Sequence, residues 1–267
     1  MTDLWIAGLG IQTATQMTRE VEQAIRDSRE VLYLDTGAAT RQHLERLCQR
    51  VTSLFDESYR EDRPRVNAYE HMAIRVIEAA IDRPPVTFAI HGHPLVAAYP
   101  PFLVMSMARA LKLRVKVLPG VSALDTVFAD LHIDPVVHGI QMYEATDVLL
   151  RRRPLQNDTP ALIWQIGPLE TALHSERASR PERFARFIEH LLRYYPARHE
   201  VTAIYCSPHP ILPPKILRFA IEEMCQLADE IHAGFTMYVP PCVGRAVVDW
   251  QLASQLCSVD HLREITR

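Results

Sequence analysis

Residues 118–147, LPGVSALDTVFADLHIDPVVHGIQMYEATD, decide how this chain is built. An apolar run over 115–118 stops at Pro119-Gly120, and Ser122 then stands where a helix N-cap belongs, with Asp125 three residues on. Backbone amides at such a helix start point outward and suit a carboxylate or a polar ribose edge. The unit reads as strand, ligand-handling turn, helix and second strand. Taken alone it is also an ordinary strand-turn-helix connection; the rest of the chain favours the ligand.

Five of the nine glycines close an apolar run in the same manner, in LWIAGLG, VLYLDTG, VTFAIHG, VKVLPG and ALIWQIG. Glycine placed at strand ends implies tight turns or close backbone approach. Between these runs, residues 17–28 and 66–80 repeat apolar positions at steps of three and four, the period of a helix with one buried face. Strands alternating with helices predict an α/β protein with a largely parallel sheet. Strands are expected at 4–7, 31–34, 87–90 and 115–118, then at 140–144, 161–166, 201–206 and 236–239. The turn at Pro119-Gly120 is the expected boundary between two α/β domains, 1–118 and 119–267, with a ligand cleft between them.

A chain of 267 residues, 48% hydrophobic, can bury a large core, and a net charge of -3 recommends no nucleic-acid partner. The five cysteines show neither pairing nor metal-ligand spacing, as expected of reduced thiols in a cytoplasmic protein. No signal peptide and no membrane-spanning apolar run is expected. His91 and His93 flank Gly92 at a strand end, but no third ligand has suitable spacing, so no metal is expected. Gly8-Leu9-Gly10 follows a strand yet lacks the third glycine of a dinucleotide fingerprint, position 13 being Thr13, which argues against a nicotinamide cofactor. The basic run Arg151-Arg152-Arg153 reads as solvated surface. Residues 180–195, RPERFARFIEHLLRYY, form an amphipathic helix whose stripe of Phe184, Phe187, Ile188 and Leu191 faces the core or a second subunit.

The opening GLG, the segment HGHPLVAA, the turn PGVSALD and the closing TMYVPP together resemble the tetrapyrrole methylase fold, whose members hold S-adenosylmethionine between two α/β domains. Within that fold, VSALDTVFADLHIDP followed by GIQMYEATD resembles the borosin peptide backbone α-N-methyltransferases, which modify a ribosomally made precursor peptide. The loop carries His93-Pro94 in place of the acidic GDP-like version of many tetrapyrrole methylases, a departure that fits a peptide better than a porphyrinoid. The resemblance places S-adenosylmethionine against Gly10, His91, His93, Val96, Ser122, Ala123, Gln165, Ile166, Tyr238 and Pro240, mostly through backbone atoms. It places a catalytic group at Tyr59, Arg65 and Tyr69 within SYREDRPRVNAYEHM. Gln141, Tyr143 and Glu144 are candidates for a substrate channel, or equally for a packed strand.

A backbone amide nitrogen is a poor nucleophile because its lone pair is delocalised into the carbonyl. Methylating it requires removal of the N–H proton and stabilisation of charge on oxygen. A tyrosinate, at either Tyr59 or Tyr69, would serve the first and Arg65 the second, the guanidinium also favouring the tyrosinate. On spacing alone, Arg65 reads as a solvated charge and Tyr69 as an extension of the core stripe. The resemblance further implies a homodimer and a separate precursor peptide carrying a leader or small binding domain, because no tail for a core peptide follows the last expected helix. Two other functions share these residues: a methyltransferase acting on a precorrin or uroporphyrinogen, and a non-catalytic scaffold that binds cofactor and peptide.

Overall fold

In the computed structural model, which describes residues 2–267, ten strands divide between two five-stranded sheets. The first half runs β1 (Leu4–Gly8), α1 (Thr13–Gln16), α2 (Arg19–Asp27), β2 (Glu30–Leu34), α3 (Ala38–Leu47), β3 (Val51–Ser53), α4 (Leu54–Ser58), α5 (Arg65–Asp82), β4 (Val86–Ile90), α6 (Pro100–Ala110), β5 (Val115–Leu118) and α7 (Ala123–Leu131). The second half runs β6 (Gln141–Glu144), α8 (Ala145–Leu150), β7 (Ala161–Trp164), a 3₁₀ turn at Pro181–Phe184 leading into α9 (Ala185–Leu191), β8 (Glu200–Tyr205), β9 (Lys215–Ala220), β10 (Thr236–Val239), α10 (Trp250–Gln255) and α11 (Val259–Ile265). The expected α/β class with two sheets is what the chain forms.

The first sheet has the order β3-β2-β4-β1-β5 and is parallel throughout. Its inner strands are apolar on both faces because helices cover both, and every residue of β4 is buried. One face packs Phe88, Leu4 and Ile6 against the α5 stripe of Ala68, Met72, Val76 and Ala80. The other face packs Val31 and Tyr33 against Val21 and Ile25 of α2 and Leu44 of α3. Thr87, fully buried, satisfies its hydroxyl on Ser28 Oγ at 2.7 Å. Helix α2 starts where Thr18 accepts a bond from the Val21 amide, and α7 starts in a capping box, Ser122 taking the Asp125 amide while the Asp125 carboxylate takes the Ser122 amide.

The second sheet, β6-β7-β10-β8-β9, departs from the expected parallel arrangement. Only β6 and β7 run parallel; β10 pairs antiparallel with both β7 and β8, and β8 pairs antiparallel with β9. A short connection accounts for the last pair: β8 reaches β9 over residues 206–214, too few for a parallel crossover. The amphipathic segment 180–195 is split into a 3₁₀ turn and α9, and Phe184, Phe187 and Leu191 are fully buried against Ala161, Ile163 and Met237. That stripe therefore serves the core. The sheet's other face carries α7, and Ile11 from the first half joins Val127, Leu162 and Ile204 there. The strand-end loops of both sheets meet at this junction.

The β1, β4 and β5 loops meet backbone to backbone. A Cβ on Gly8 would lie 2.6 Å from the Gly92 carbonyl oxygen and 2.7 Å from the Gly120 nitrogen; one on Gly120 would meet the same carbonyl at 2.6 Å. Both neighbours are main chain and cannot swing aside. Gly8→Ala is therefore expected to destabilise the chain at the upper end of the about 1–3 kcal/mol typical of overpacking, read by chemical denaturation, and a variant as stable as the parent would contradict this packing.

Candidate active site

Two connected cavities open where the halves meet. The larger, about 760 Å³, is walled by Arg65, Val66 and Tyr69 of α5, by Ala97, Tyr99 and Phe102, and from the second half by Glu144, Trp164, Gln165 and Thr171. The smaller, about 300 Å³, lies at the ends of β2 and β4 and is walled by Leu34, Tyr59, Ile90, residues 91–93 and Val96, Ser122 and Ala123, and residues 233–236. Tyr69, Ala97, Ala98, Tyr99, Trp164 and Gln165 face both. Ala97 and Gln165 hold positive φ angles of 52° and 57°, a region non-glycine residues rarely occupy and that concentrates at functional sites.

Of the residues singled out from the sequence, His91, His93, Val96, Ser122, Ala123 and Gln165 line the smaller cavity. Gly10 lies behind it, exchanging backbone hydrogen bonds with Gly92, and Ile166 is fully buried. Tyr238 packs between the sheet and α7, and the Pro240 carbonyl accepts from His199 Nε2 at 2.9 Å; neither lines a cavity. Gln141 and Tyr143 also lie away from the cleft. Strand alternation turns them to the opposite face of β6 from Glu144. The Gln141 side chain donates to the carbonyls of Gln156 and Thr159, and the Tyr143 ring carries the Arg153 guanidinium 5.6 Å from its centre. The basic run is thus partly held in place, with both Arg151 and Arg153 paired to Asp147.

Tyr69 faces both cavities, Arg65 lines the larger and Tyr59 the smaller. Tyr59 ends α4, and its ring meets that of Tyr69 edge-on, centres 6.3 Å apart. On its other side lies the His174 ring from the second half, 4.6 Å away. Arg65 opens α5, the end of a helix where the macrodipole disfavours a cation. Its Nη2 donates to the Thr171 carbonyl at 2.8 Å, which offsets that cost and leaves other guanidinium donors to serve the cleft. The backbone here forms a clasp between the halves: the Arg65 amide donates to the Ala172 carbonyl, the Asp62 amide to the His174 carbonyl and the His174 amide to the Arg63 carbonyl. Glu61 and Asp62 extend it by binding Ser175 and Arg177.

Burial pushes the Tyr59 hydroxyl well above the usual phenol range, the Tyr69 phenol adds to the rise, and Arg65 pulls the other way with the smallest effect. The guanidinium thus does not make Tyr59 a ready tyrosinate; the phenol keeps its proton. Sequence reasoning had not singled out Trp164, Tyr99 or the 171–174 clasp. Trp164 carried a signal, as the aromatic residue just before Gln165. The clasp carried none, since a two-strand contact of this length has no period.

Comparison with known proteins fits this geometry. Residues 3–206 match the model of the tetrapyrrole (corrin/porphyrin) methylases. The chain belongs to that family. It is 30% identical over 257 residues to the methyltransferase/ribosomally synthesized type I borosin cyclic peptide precursor of Serendipita vermifera subsp. bescii, covering 95% of this chain and 62% of the relative. It is 28% identical over 240 residues to the gymnopeptides precursor methyltransferase of Gymnopus fusipes, covering 89% of this chain and 57% of that one. The chain thus spans about three fifths of the length of these curated relatives. Among solved structures, uroporphyrin-III-C-methyltransferase from Thermus thermophilus superposes with a TM-score of 0.64 at 14% identity over 89% of this chain and 91% of that one. The same enzyme complexed with S-adenyl homocysteine gives 0.60 at 14% identity, covering the same shares. At this identity the likeness concerns the fold. No helix among the described residues is long and apolar enough to cross a membrane, and no group of three or more His, Cys, Asp or Glu side chains there is placed to hold a metal ion.

The raised Tyr59 hydroxyl has a consequence for stability. A phenol whose folded value exceeds its unfolded value, about 10, stabilises the fold fully below that pH, and the contribution is lost as pH rises through the folded value. Tyr195, pushed up to about 12 by burial, acts in the same sense. Tyr59→Phe is therefore expected to unfold less steeply above about pH 10 than the parent, followed by circular dichroism; equal alkaline sensitivity would show that Tyr59 ionises freely.

Proposed function

We propose that the chain is an S-adenosylmethionine-dependent methyltransferase acting on backbone amides of a ribosomally made precursor peptide supplied as a separate molecule. The observation that carries this reading is the junction of the two cavities. A small one with glycine, alanine and serine in its wall adjoins a larger, mostly apolar one; Tyr69 faces both, Tyr59 the small one and Arg65 the large one. The borosin relatives, named as methyltransferases and peptide precursors in one, supply the substrate class.

The small cavity suits the cofactor in the chemistry of its lining. Gly92, Ser122, Ala123 and Gly234 leave room that larger side chains would fill, and the α7 amino end beside Ser122 favours a carboxylate. His91, Val96 and Gln165 would hold it, Gln165 from its strained turn. Bound there, S-adenosylmethionine supplies an electrophilic methyl group on a sulfonium. In the larger cavity, Tyr99, Phe102, Leu150 and Trp164 favour a peptide with apolar side chains, and Glu144 and Glu170 disfavour an acidic one. This cavity is walled by residues no later than Ala172 and has room for a peptide from outside residues 2–267.

Arg65 donates to the carbonyl oxygen of the amide and stabilises the charge that collects there once the N–H proton leaves. Tyr59 keeps its proton and acts beside it as a neutral donor. Tyr69, which faces both cavities, takes the amide proton.

In the test, purified chain, S-adenosylmethionine and a library of ribosomally made apolar peptides are incubated, and fragmentation mass spectrometry places each methyl group on backbone or side chain. Backbone methylation is expected, with cofactor binding that survives a chelator. Methylation of a porphyrinoid alone, or of nothing, would overturn the reading. Arg65→Ala and Tyr69→Phe are expected to spare cofactor affinity while slowing transfer about a hundredfold or more. Parental rates in both would place the chemistry elsewhere.

A homodimer is part of the same proposal. Helices α10 and α11 contain no buried residue, and Val248, Trp250 and Leu256 are 88%, 70% and 72% exposed. Apolar surface of this extent favours a second copy as its cover. Light scattering is expected to give twice the chain mass, and Trp250→Glu to shift it toward the monomer; a fully active parental monomer would overturn this part.

A further inference from the structure

Each amide methylation releases a proton into the cleft beside Tyr69 and Tyr59. The N–H bond breaks with its electron pair left on nitrogen, that pair forms the N–CH₃ bond, and the carbon–sulfur pair stays on sulfur. The proton must then travel from the amide to solvent before the next turnover. Tyr69 cannot hold it through repeated transfers, and Tyr59, a phenol that burial keeps protonated, can only pass it on.

A third cavity, about 320 Å³, is walled by Asp35, Gly37, Phe55, Tyr59, His91 and Tyr205. Tyr59 and His91 both face this cavity and the small one, so the two side chains share walls twice. His91, at the end of β4, is tied through Nδ1 to Asp35 Oδ2 at 3.2 Å, which leaves Nε2 for the cavities. Asp35, at the end of β2, is itself anchored: its side chain is 10% exposed and accepts from the Gly37 amide at 2.8 Å and Thr40 Oγ1 at 2.9 Å. Thr40 in turn pairs with the buried Thr13 hydroxyl. Burial would raise this carboxyl, but its bonds from and attraction to His91, with those from Gly37 and Thr40, hold it below the usual carboxylate range. An ionised, fully bonded carboxylate fixes the orientation of the imidazole and turns its other nitrogen toward the cavities.

We propose that His91, oriented by Asp35, accepts the amide proton relayed through Tyr69 and Tyr59 and releases it to solvent by way of the third cavity. The inference rests on the reading of the chain as an amide N-methyltransferase. Atoms balance: one proton enters the imidazole and one leaves it to water, so His91 returns neutral after every methyl transfer. The titratable groups that share cavity walls with the imidazole are Asp35 just after β2, Tyr59 beyond α4, Tyr69 of α5, Tyr99 before α6, Tyr205 from β8 and His93 on its own loop. His93 is otherwise engaged, its Nδ1 accepting the Leu95 amide at 3.1 Å. His174 also touches Tyr59, but ring against ring at an angle of 35°, and it lines neither the small nor the third cavity.

The test uses the whole chain and the peptide best methylated in the screen above. Steady-state rates over many methyl transfers are measured between about pH 5 and 8, where a histidine exchanges its proton, and cofactor affinity is measured by calorimetry on the same samples. The parental rate is expected to climb with pH. His91→Gln is expected to be about a hundredfold slower with the climb flattened, and Asp35→Asn to shift the climb along the pH axis. A parental pH profile in His91→Gln, or a rate loss that follows lost cofactor affinity with the climb intact, would overturn the relay. If His91→Gln does not fold, Asp35→Asn decides the matter, an unmoved climb counting against the relay. Failure of the parental chain to methylate any peptide while still binding cofactor would instead overturn the underlying reading of function.

Discussion

The contact of three main-chain segments at Gly8, Gly92 and Gly120 sets the geometry on which the rest of this site depends. Atoms of the β1, β4 and β5 loops stand where any side chain at Gly8 or Gly120 would have to go, at 2.6 to 2.8 Å. Because the loops are that close, the residues that follow them spread around one small volume: Ile11 from the first, His91 to Val96 from the second, Ser122 and Ala123 from the third. Open α/β sheets hold ligands at the carboxyl ends of their strands. Here the sheet narrows that general position to a cavity of about 300 Å³.

Much of this was legible in the sequence because glycine and capping residues leave local marks. The five strand-ending glycines and the Ser122–Asp125 capping box depend on neighbours within a few residues, and the structure forms them as written. The α5 stripe was mostly plain, since Ala73, Val76, Ile77 and Ala80 recur at helical steps and are buried, while Val66, at the start of the same pattern, is exposed and faces the larger cavity. Two strands escaped notice for physical reasons. Val51–Ser53 is three residues long and half-buried at a sheet edge, and Lys215–Ala220 is an edge strand carrying Lys215 and Arg218, charges that protect an exposed edge and hide its apolar pattern. The antiparallel pairing of the second sheet was illegible for a related cause, because strand direction is set by connection length and tertiary packing rather than by composition.

The candidate site was legible in a different measure. Residues on a strand-end turn could be placed, and His91, Ser122 and Gln165 share one wall. Residues on a strand could not, because alternation by one position moves a side chain through the sheet: Gln141 and Tyr143 face away from the cleft that Glu144 lines. The charge balance around Tyr59 was also beyond spacing arguments. Proximity of a guanidinium predicts an easier tyrosinate, yet burial outweighs it, and burial belongs to the assembled fold.

Arg65 shows how closely the fold and the site are joined. A cation in the first turn of α5 is unfavourable in an isolated helix, and Glu61 and Asp62, the nearest carboxylates in sequence, are engaged with Ser175 and Arg177. What holds the guanidinium is the Thr171 carbonyl, from the other half of the chain, on the same short ladder that pairs Pro64 with Leu173. The hydrogen bonds that close the two halves together therefore also aim the group that would meet the substrate oxygen. Separation of the halves would withdraw Arg65 from Thr171 and His174 from Tyr59 at once. In a site built this way, the Arg65 guanidinium is held by a contact from the other half of the chain rather than by its own helix.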